Sequence, residues 1–358
     1  MKKILISGYY GFDNFGDEAI LKILLEKLKD CDVTVLTADP RKTFDAYGVH
    51  TVYTFSLDHV LKELAYCDVL ISGGGSLLQN VTSNQSLWFY SSIIKFAQLM
   101  RKQVVIFAQG IGPVKGWFST GYVKKILKCS DYISVRDEKS LELLKKWKID
   151  ANLVCDPLYA LETKPMTRTK KIGIQLRKFH TLTDELFDKI VEQVKTRYHS
   201  REIELISLQD ENDAGISQVF INKLKHVDPK IKVKLLTALS NDEIIKHLGE
   251  LDCLIGMRFH ACLVAMKYGV KTLPIAYDPK VTALAEDAGI GYLYMDSKKN
   301  NYEKAFDDME NQSRWNITEW AKSKRFSWDK TGINEVKQEK KKYKKRKTEK
   351  EYAKKSKK

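Results

Sequence analysis

Arg258 and His260 stand two residues apart in the run Ile255-Gly256-Met257-Arg258-Phe259-His260-Ala261. There an apolar stretch ends, a glycine turns the chain and a helix is predicted to begin. A guanidinium and an imidazole delivered to a helix N-terminus make an anion site with a titratable group beside it. A lone histidine is usually structural or merely exposed; the position of this one argues for chemistry. Three more cations follow predicted strands: Arg136 in Ser134-Val135-Arg136-Asp137, Arg177 in Gln175-Leu176-Arg177, and Lys280 in Tyr277-Asp278-Pro279-Lys280. Each arginine has a bland alternative, pairing with a nearby carboxylate such as Asp137 in the case of Arg136. Together, Arg136, Arg177, Arg258 and Lys280 imply a multiply charged anion, such as a phosphate ester that also carries a carboxylate.

Glycine-rich loops follow other predicted strands. The first runs from Gly8 to Asp17 and carries aromatics and Asn14. It serves equally as a tight turn, with Asp17 capping the next helix, or as a binding loop. Its aromatic content, Tyr9, Tyr10, Phe12 and Phe15, and its amide tilt the reading toward a sugar, with Tyr10, Asn14 and Asp17 as contacts. The second is Ser72-Gly73-Gly74-Gly75-Ser76-Leu77-Leu78-Gln79. Three glycines in a row are entropically expensive for a simple turn, so close approach of a ligand or backbone at Gly74, Gly75 and Ser76 is expected. Gln109-Gly110-Ile111-Gly112-Pro113 reads as a strand-to-loop exit, turn or site. No P-loop, GxGxxG, metal-ligand motif, catalytic carboxylate pair or Ser–His–Asp pattern is present, so neither a metal nor a bound cofactor is expected.

The elements that must position these residues alternate strictly. Short apolar runs, among them 3–7, 32–37, 68–72, 103–108 and 132–135, alternate with amphipathic stretches such as 17–29, 87–101 and 118–129. A polar, proline-containing stretch at 161–170 interrupts the pattern, which restarts with strands at 171–176, 202–207, 251–255 and 271–275. This predicts an α/β chain of two doubly wound, parallel-sheet, Rossmann-like domains facing a cleft. The expected boundaries are 1–163, 164–330 with terminal helices, and a basic tail at 331–358. Ligands of such sheets lie beyond the carboxyl ends of the strands.

The chain has 358 residues and a formal net charge of +15. Residues 337–358 hold 13 Lys or Arg against 3 Glu, a net of +10, which leaves +5 for the rest. The tail reads as a solvated disordered end, as a polybasic contact for an anionic membrane surface, or as a nucleic-acid contact. No nucleic-acid module accompanies it, and no nucleic-acid partner is expected. No apolar run reaches the ~18 residues of a membrane span. The three apolar residues after Lys3 fall short of the roughly 7–15 of a secretory h-region. The six cysteines (Cys31, Cys67, Cys129, Cys155, Cys253, Cys262) are scattered, and they read as small buried residues of a reducing cytoplasm.

The segments GYYGFDNFGDEAIL, GGGSLLQ, AQGIGP, SVRDEKS, MRFHA and YDPKV, in this order at strand ends, resemble the polysaccharide pyruvyl transferase family, CsaB type, over residues 1–330. The resemblance implies a GT-B-like fold and transfer of pyruvate from phosphoenolpyruvate, a co-substrate, onto two hydroxyls of one sugar as a cyclic ketal. It implies β-N-acetylmannosamine of a lipid-linked cell-wall polysaccharide precursor as acceptor, with pyruvylated polymer anchoring surface-layer proteins. Arg258 and His260 match the family's Arg-x-His, with Phe259 where Leu is frequent. Lys280 matches a lysine on the phosphoenolpyruvate side and Arg136 the arginine of the SVRD segment; Arg177 matches more loosely. His260 is then the general acid, its unperturbed pKa of ~6.5 suiting either role near neutral pH. The first-domain loops hold the acceptor. A cytoplasmic enzyme, peripheral at the inner membrane face through residues 337–358, follows. The rival readings are a GT-B glycosyltransferase with a nucleotide-sugar donor, for which no clear ribose- or base-binding residue stands out, and a binding protein that has kept the fold.

Overall fold

The computed structural model describes residues 1–81, 83–180 and 182–336. The chain forms two compact α/β units. One comprises Met1–Phe12, Asp17–Ala160 and the chain from Arg325; the other comprises Asp13–Gly16 and Leu161–Lys324.

The first unit carries strands β1 (Lys3–Ser7), β2 (Asp32–Thr37), β3 (His50–Tyr53), β4 (Val69–Ser72), β5 (Gly75–Leu78), β6 (Gln103–Ile111), β7 (Tyr132–Val135) and β8 (Asn152–Leu153). All pair in parallel, in the order β3-β2-β1-β4-β6-β7-β8, with β5 beside β6. Leu5, Leu70, Val104 and Ile106 are fully buried in this core. Strands covered on both faces by helices need continuous apolar runs, which is why KILIS and VLIS read as they do.

The second unit repeats the plan with β9 (Ile172–Gln175), β10 (Glu202–Ile206), β11 (Lys232–Leu236), β12 (Cys253–Gly256), β13 (Lys271–Ala276) and β14 (Leu293–Tyr294). Their order is β11-β10-β9-β12-β13-β14, again parallel. The expected α/β class with two parallel, helix-flanked sheets is what the chain forms.

Several local expectations need correction. Residues 75–78 of the triple-glycine segment form β5 instead of loop, because the edge of β6 offers them a ladder. The expected exit at Gln109 is still strand, β6 running on to Ile111 across a register shift after Ile106. A helix at Pro40–Tyr47 was not foreseen, although Asp39 caps it and Pro40 opens it. The chain from Arg325 returns to the first unit, where Phe326 and Trp328 pack on Phe107 and a Cβ on Gly332 would overlap Tyr132. Thr331, Ile333 and Val336 are buried there, so the exposed tail cannot begin at residue 331. The polybasic stretch 337–358 lies outside the described residues. Cys67, Cys253 and Cys262 are buried as expected, but Cys129 is exposed and Cys31 and Cys155 are half-buried.

One charged cluster ties the second sheet together. Glu204 on β10, 1% exposed, meets Lys171 at 2.8 Å, Lys234 at 3.1 Å and His247 Nδ1 at 3.0 Å. Lys234 is its register partner on β11. Burial alone would raise the Glu204 carboxyl, but Lys171 and Lys234 hold it below its ordinary value. A lowered folded pKa stabilises the protein above the unfolded value of ~4.3 and is lost as pH falls through the folded one. Glu204→Gln should therefore cost about 1–3 kcal/mol at neutral pH. Urea melts at descending acid pH should show the gap between variant and wild type closing; a constant gap would contradict the assignment.

Candidate active site

In the second unit the strand register decides what meets. Gln175 at the end of β9 pairs with Gly256 at the end of β12, and Gly256 pairs with Pro274 of β13. Two residues beyond the first pair stand Arg177 and Arg258; three beyond Pro274 stands Tyr277. One carboxyl edge thus carries all three.

Arg258 is nearly buried, at 6% exposure. Its Nε donates to Asp213 Oδ2 at 2.8 Å and its Nη2 to Asp213 Oδ1 at 2.6 Å, a two-pronged pair; Nη2 also reaches Gln209 Oε1 at 3.2 Å. Its backbone N–H donates to Gln175 Oε1 at 2.7 Å. Asp213 lies in the first turns of the helix Asp210–Val227 and is fully buried. It also accepts from the backbone N–H groups of Leu208 and Gln209 and from Gln175 Nε2. Burial pushes its carboxyl up, while Arg258 and the Leu208 amide oppose the rise; Arg177 is near enough to add to that opposition.

Arg177 stands by Tyr277, with Nη1 3.5 Å from the phenol oxygen and the guanidinium 5.9 Å from the ring centre. Burial raises the Tyr277 hydroxyl, and Arg177 works against that. Lys280 is two residues into the helix Pro279–Asp287, 41% exposed and 3.9 Å from Asp278. The expected loop Tyr277–Lys280 is thus a capped helix start, with Asp278 as N-cap.

His260 is the second residue of the helix Phe259–Lys267. Arg258 occupies the N-cap position and its side chain makes no cap hydrogen bond, and a helix start of this kind favours an anion. The imidazole packs edge-on to Phe259. Gly16, from the short segment Asp13–Gly16 of the same unit, also lies against it, since any Cβ there would overlap the His260 ring. Asn14 accepts from the Gly16 N–H at 3.2 Å, and Phe15 N–H donates to Leu208 O. Asn14, expected at a sugar, shapes this turn.

In the first unit the triple glycine packs against its own surroundings. A Cβ on Gly73 would overlap the Tyr10 hydroxyl, one on Gly74 would meet Ile20 at 2.9 Å, and one on Gly75 would meet Asp17 Oδ1 at 2.6 Å. Asp17 and Gly75 are therefore neighbours. Tyr10, expected at the acceptor, is 1% exposed, and its hydroxyl has no hydrogen-bond partner among the described residues. Burial, then Asp17 and Glu18, push its hydroxyl well above the ordinary value. Tyr10 supports this loop from beneath. Ser76 is exposed and accepts from Arg136 Nη2 at 3.0 Å, and Arg136 Nη1 pairs with the buried Asp156 at 2.8 Å. The partner of Arg136 is Asp156, not Asp137, which caps the helix Glu138–Lys146. Gly110 leaves room beneath this pair, since its Cβ would lie 2.6 Å from Ser76 Oγ.

A profile of the family described as polysaccharide pyruvyl transferase matches residues 14–279. The chain belongs to this family. The match runs from Asn14 through the triple glycine, Arg136, Arg258 and His260, and ends at Pro279. A search of the curated proteins found no match. Among solved structures, the UDP-GlcNAc 2-epimerase of Methanocaldococcus jannaschii is similar, with TM-score 0.62 and 13% identity, covering 94% of this chain and 99% of that one. Anabaena HepE, solved with UDP and glucose, has TM-score 0.59 and 11% identity over 95% and 98%. A Rickettsia africae glycosyltransferase has 0.59 and 12% over 94% and 99%. At such identities these establish a shared GT-B-type fold. Transferase chemistry in polysaccharide synthesis comes from the family.

Sequence reasoning missed Asp213, Gln209 and Gln175. Asp213 sits in the run Asp210-Glu211-Asn212-Asp213, which looks like an ordinary acidic helix start. Only its complete burial marks it. Removing one partner of a buried ion pair leaves an uncompensated charge, which costs about 3–5 kcal/mol. Asp213→Ala and Arg258→Met should each lose that much in denaturant melts, and the double variant should lose clearly less than the sum. Strict additivity would mean the pair is not coupled.

Proposed function

We propose that this family member transfers the pyruvyl group of phosphoenolpyruvate to two hydroxyls of one sugar, forming a cyclic ketal and releasing phosphate. The observation that carries the reading is the family match together with Arg177, Arg258 and His260 at one strand edge and a helix start. Phosphoenolpyruvate carries a phosphate and a carboxylate, so it needs several cations. Arg258 is pre-aimed by Asp213; Arg177, Lys280 and the N–H groups of the Phe259 helix supply the rest.

His260 gives a proton to the methylene carbon, which makes the enol carbon electrophilic. A sugar hydroxyl adds there, the carbon–oxygen bond to phosphate breaks, and the second hydroxyl closes the ring. Of the two hydroxyl protons released, one replaces the proton His260 gave and the other leaves with phosphate. Arg258 and Arg177 stabilise the departing charge.

The acceptor side is assigned to Asp17, Gly74, Gly75 and Ser76, with Tyr10 as support; Asn14 instead holds the turn that sets Gly16 against His260. Arg136, first expected at phosphoenolpyruvate, is reassigned to the acceptor because it is bonded to Ser76. The acceptor is proposed to be β-N-acetylmannosamine of a lipid-linked precursor, handled at the inner membrane face.

Phosphate release should require both phosphoenolpyruvate and an N-acetylmannosamine-terminated lipid-diphosphate acceptor. His260→Ala should lower the rate by about 10²–10⁴-fold, the range of general-acid contributions. Thermal stabilisation by a UDP-sugar and none by phosphoenolpyruvate would overturn the donor and favour a glycosyltransferase.

Gly16→Ala should retain the fold yet lose about 100-fold in rate, because the methyl group displaces the imidazole. Wild-type turnover by that variant would show that the Gly16 contact does not set the position of His260.

A further inference from the structure

The first unit presents an aromatic surface that the proposed reaction does not use. Trp117 and Phe118 open the helix Trp117–Lys128 and are 87% and 61% exposed. Their ring centres are 5.9 Å apart. Trp88, on the helix Asn84–Leu99, lies 5.6 Å from Phe118 and 5.1 Å from Tyr122. Further along the same helix Phe96 and Leu99 are also exposed.

The chain segment that carries it has charge of one sign. Residues 69–130 contain seven Lys or Arg and no Asp or Glu. Lys115, Lys125 and Lys128 are exposed beside or on the Trp117 helix. Nothing in the packing requires a tryptophan at 117, since its side chain is almost wholly in solvent. An exposed aromatic wedge with a cationic surround is the arrangement that inserts into a lipid headgroup layer, where indole and phenol rings are most stable.

We propose that this face docks the protein on an anionic bilayer, with Trp117 and Phe118 inserted at the headgroup level and the lysines facing lipid phosphates. Charge selects the occupant. In a two-fold dimer through the same patch, lysines would oppose lysines across the interface. An anionic surface pairs with all of them, each basic residue adding roughly a five-fold gain in partitioning. The proposal is separate from the tail at 337–358 and does not depend on the pyruvyl-transfer reading.

The test uses full-length protein in which the 13 tail cations are replaced by glutamine, so that only the folded body is read. Co-sedimentation is measured with phosphatidylglycerol–phosphatidylcholine vesicles and with phosphatidylcholine alone. The expected result is binding to the anionic vesicles, weakened by salt and at least ten-fold weaker to neutral ones. The pair Trp117→Ala/Phe118→Ala should lose at least ten-fold in partitioning at an unchanged melting temperature. Lys115→Glu/Lys125→Glu, which keeps the aromatics, should do the same. Equal binding by the aromatic variant overturns the proposal, as does absence of binding by the parent. A vesicle-independent dimer that the aromatic substitutions dissolve would assign the face to a second copy instead.

Discussion

The buried pair of Asp213 and Arg258 is the constraint around which the carboxyl edge of the second unit's sheet is arranged. Taking two charges out of water costs several kcal/mol for each, and well-packed apolar residues of similar volume are often no less stable. The pair therefore contributes geometry more than stability. Six hydrogen bonds converge on the Asp213 carboxylate, from Arg258, Gln175 and two backbone amides. They tie the ends of β9 and β12 to the start of the helix after β10. With Nε and Nη2 of Arg258 committed, the guanidinium plane is fixed and the helix bearing His260 starts from a set point. A cation that must meet phosphate at a defined angle gains from such locking, because less rotamer freedom is lost on binding.

Glycine plays a matching part in both units, and in a way that differs from a phosphate-cradling loop. Gly16 lets the backbone press against the His260 ring, and Gly73, Gly74 and Gly75 let β5 lie against Tyr10, Ile20 and Asp17. The glycines at these loops make space for the protein's own side chains. This explains a costly run of three glycines without assigning each one to a substrate.

Much of this was legible beforehand. The strands at Lys3–Ser7, Asp32–Thr37 and Tyr132–Val135 coincide with the expected bounds, because their apolar periodicity is undisturbed. The strand-end positions of Arg136, Arg177, Arg258 and His260 were readable for the same reason. What stayed hidden depends on distant partners. Asp213 looks like a helix-start carboxylate until burial pairs it with Arg258, 45 residues away. Arg136 has a nearer carboxylate in Asp137 but bonds Asp156, since Asp137 is spent on a helix cap. Phe326 and Trp328 belong to the first unit because Phe107 offers them rings to pack on. Local pattern carries no trace of such choices.

The most direct test of the account follows the carbon that is meant to move. Phosphoenolpyruvate labelled with a heavy carbon isotope at its enol carbon is incubated with the protein and the N-acetylmannosamine-terminated acceptor, and the label is followed by carbon NMR. The account predicts that the enol signal is replaced by that of a ketal carbon bonded to two sugar oxygens, one phosphate appearing for each ketal formed. A label that stays in phosphoenolpyruvate, or emerges only as free pyruvate while the acceptor is unchanged, would contradict it.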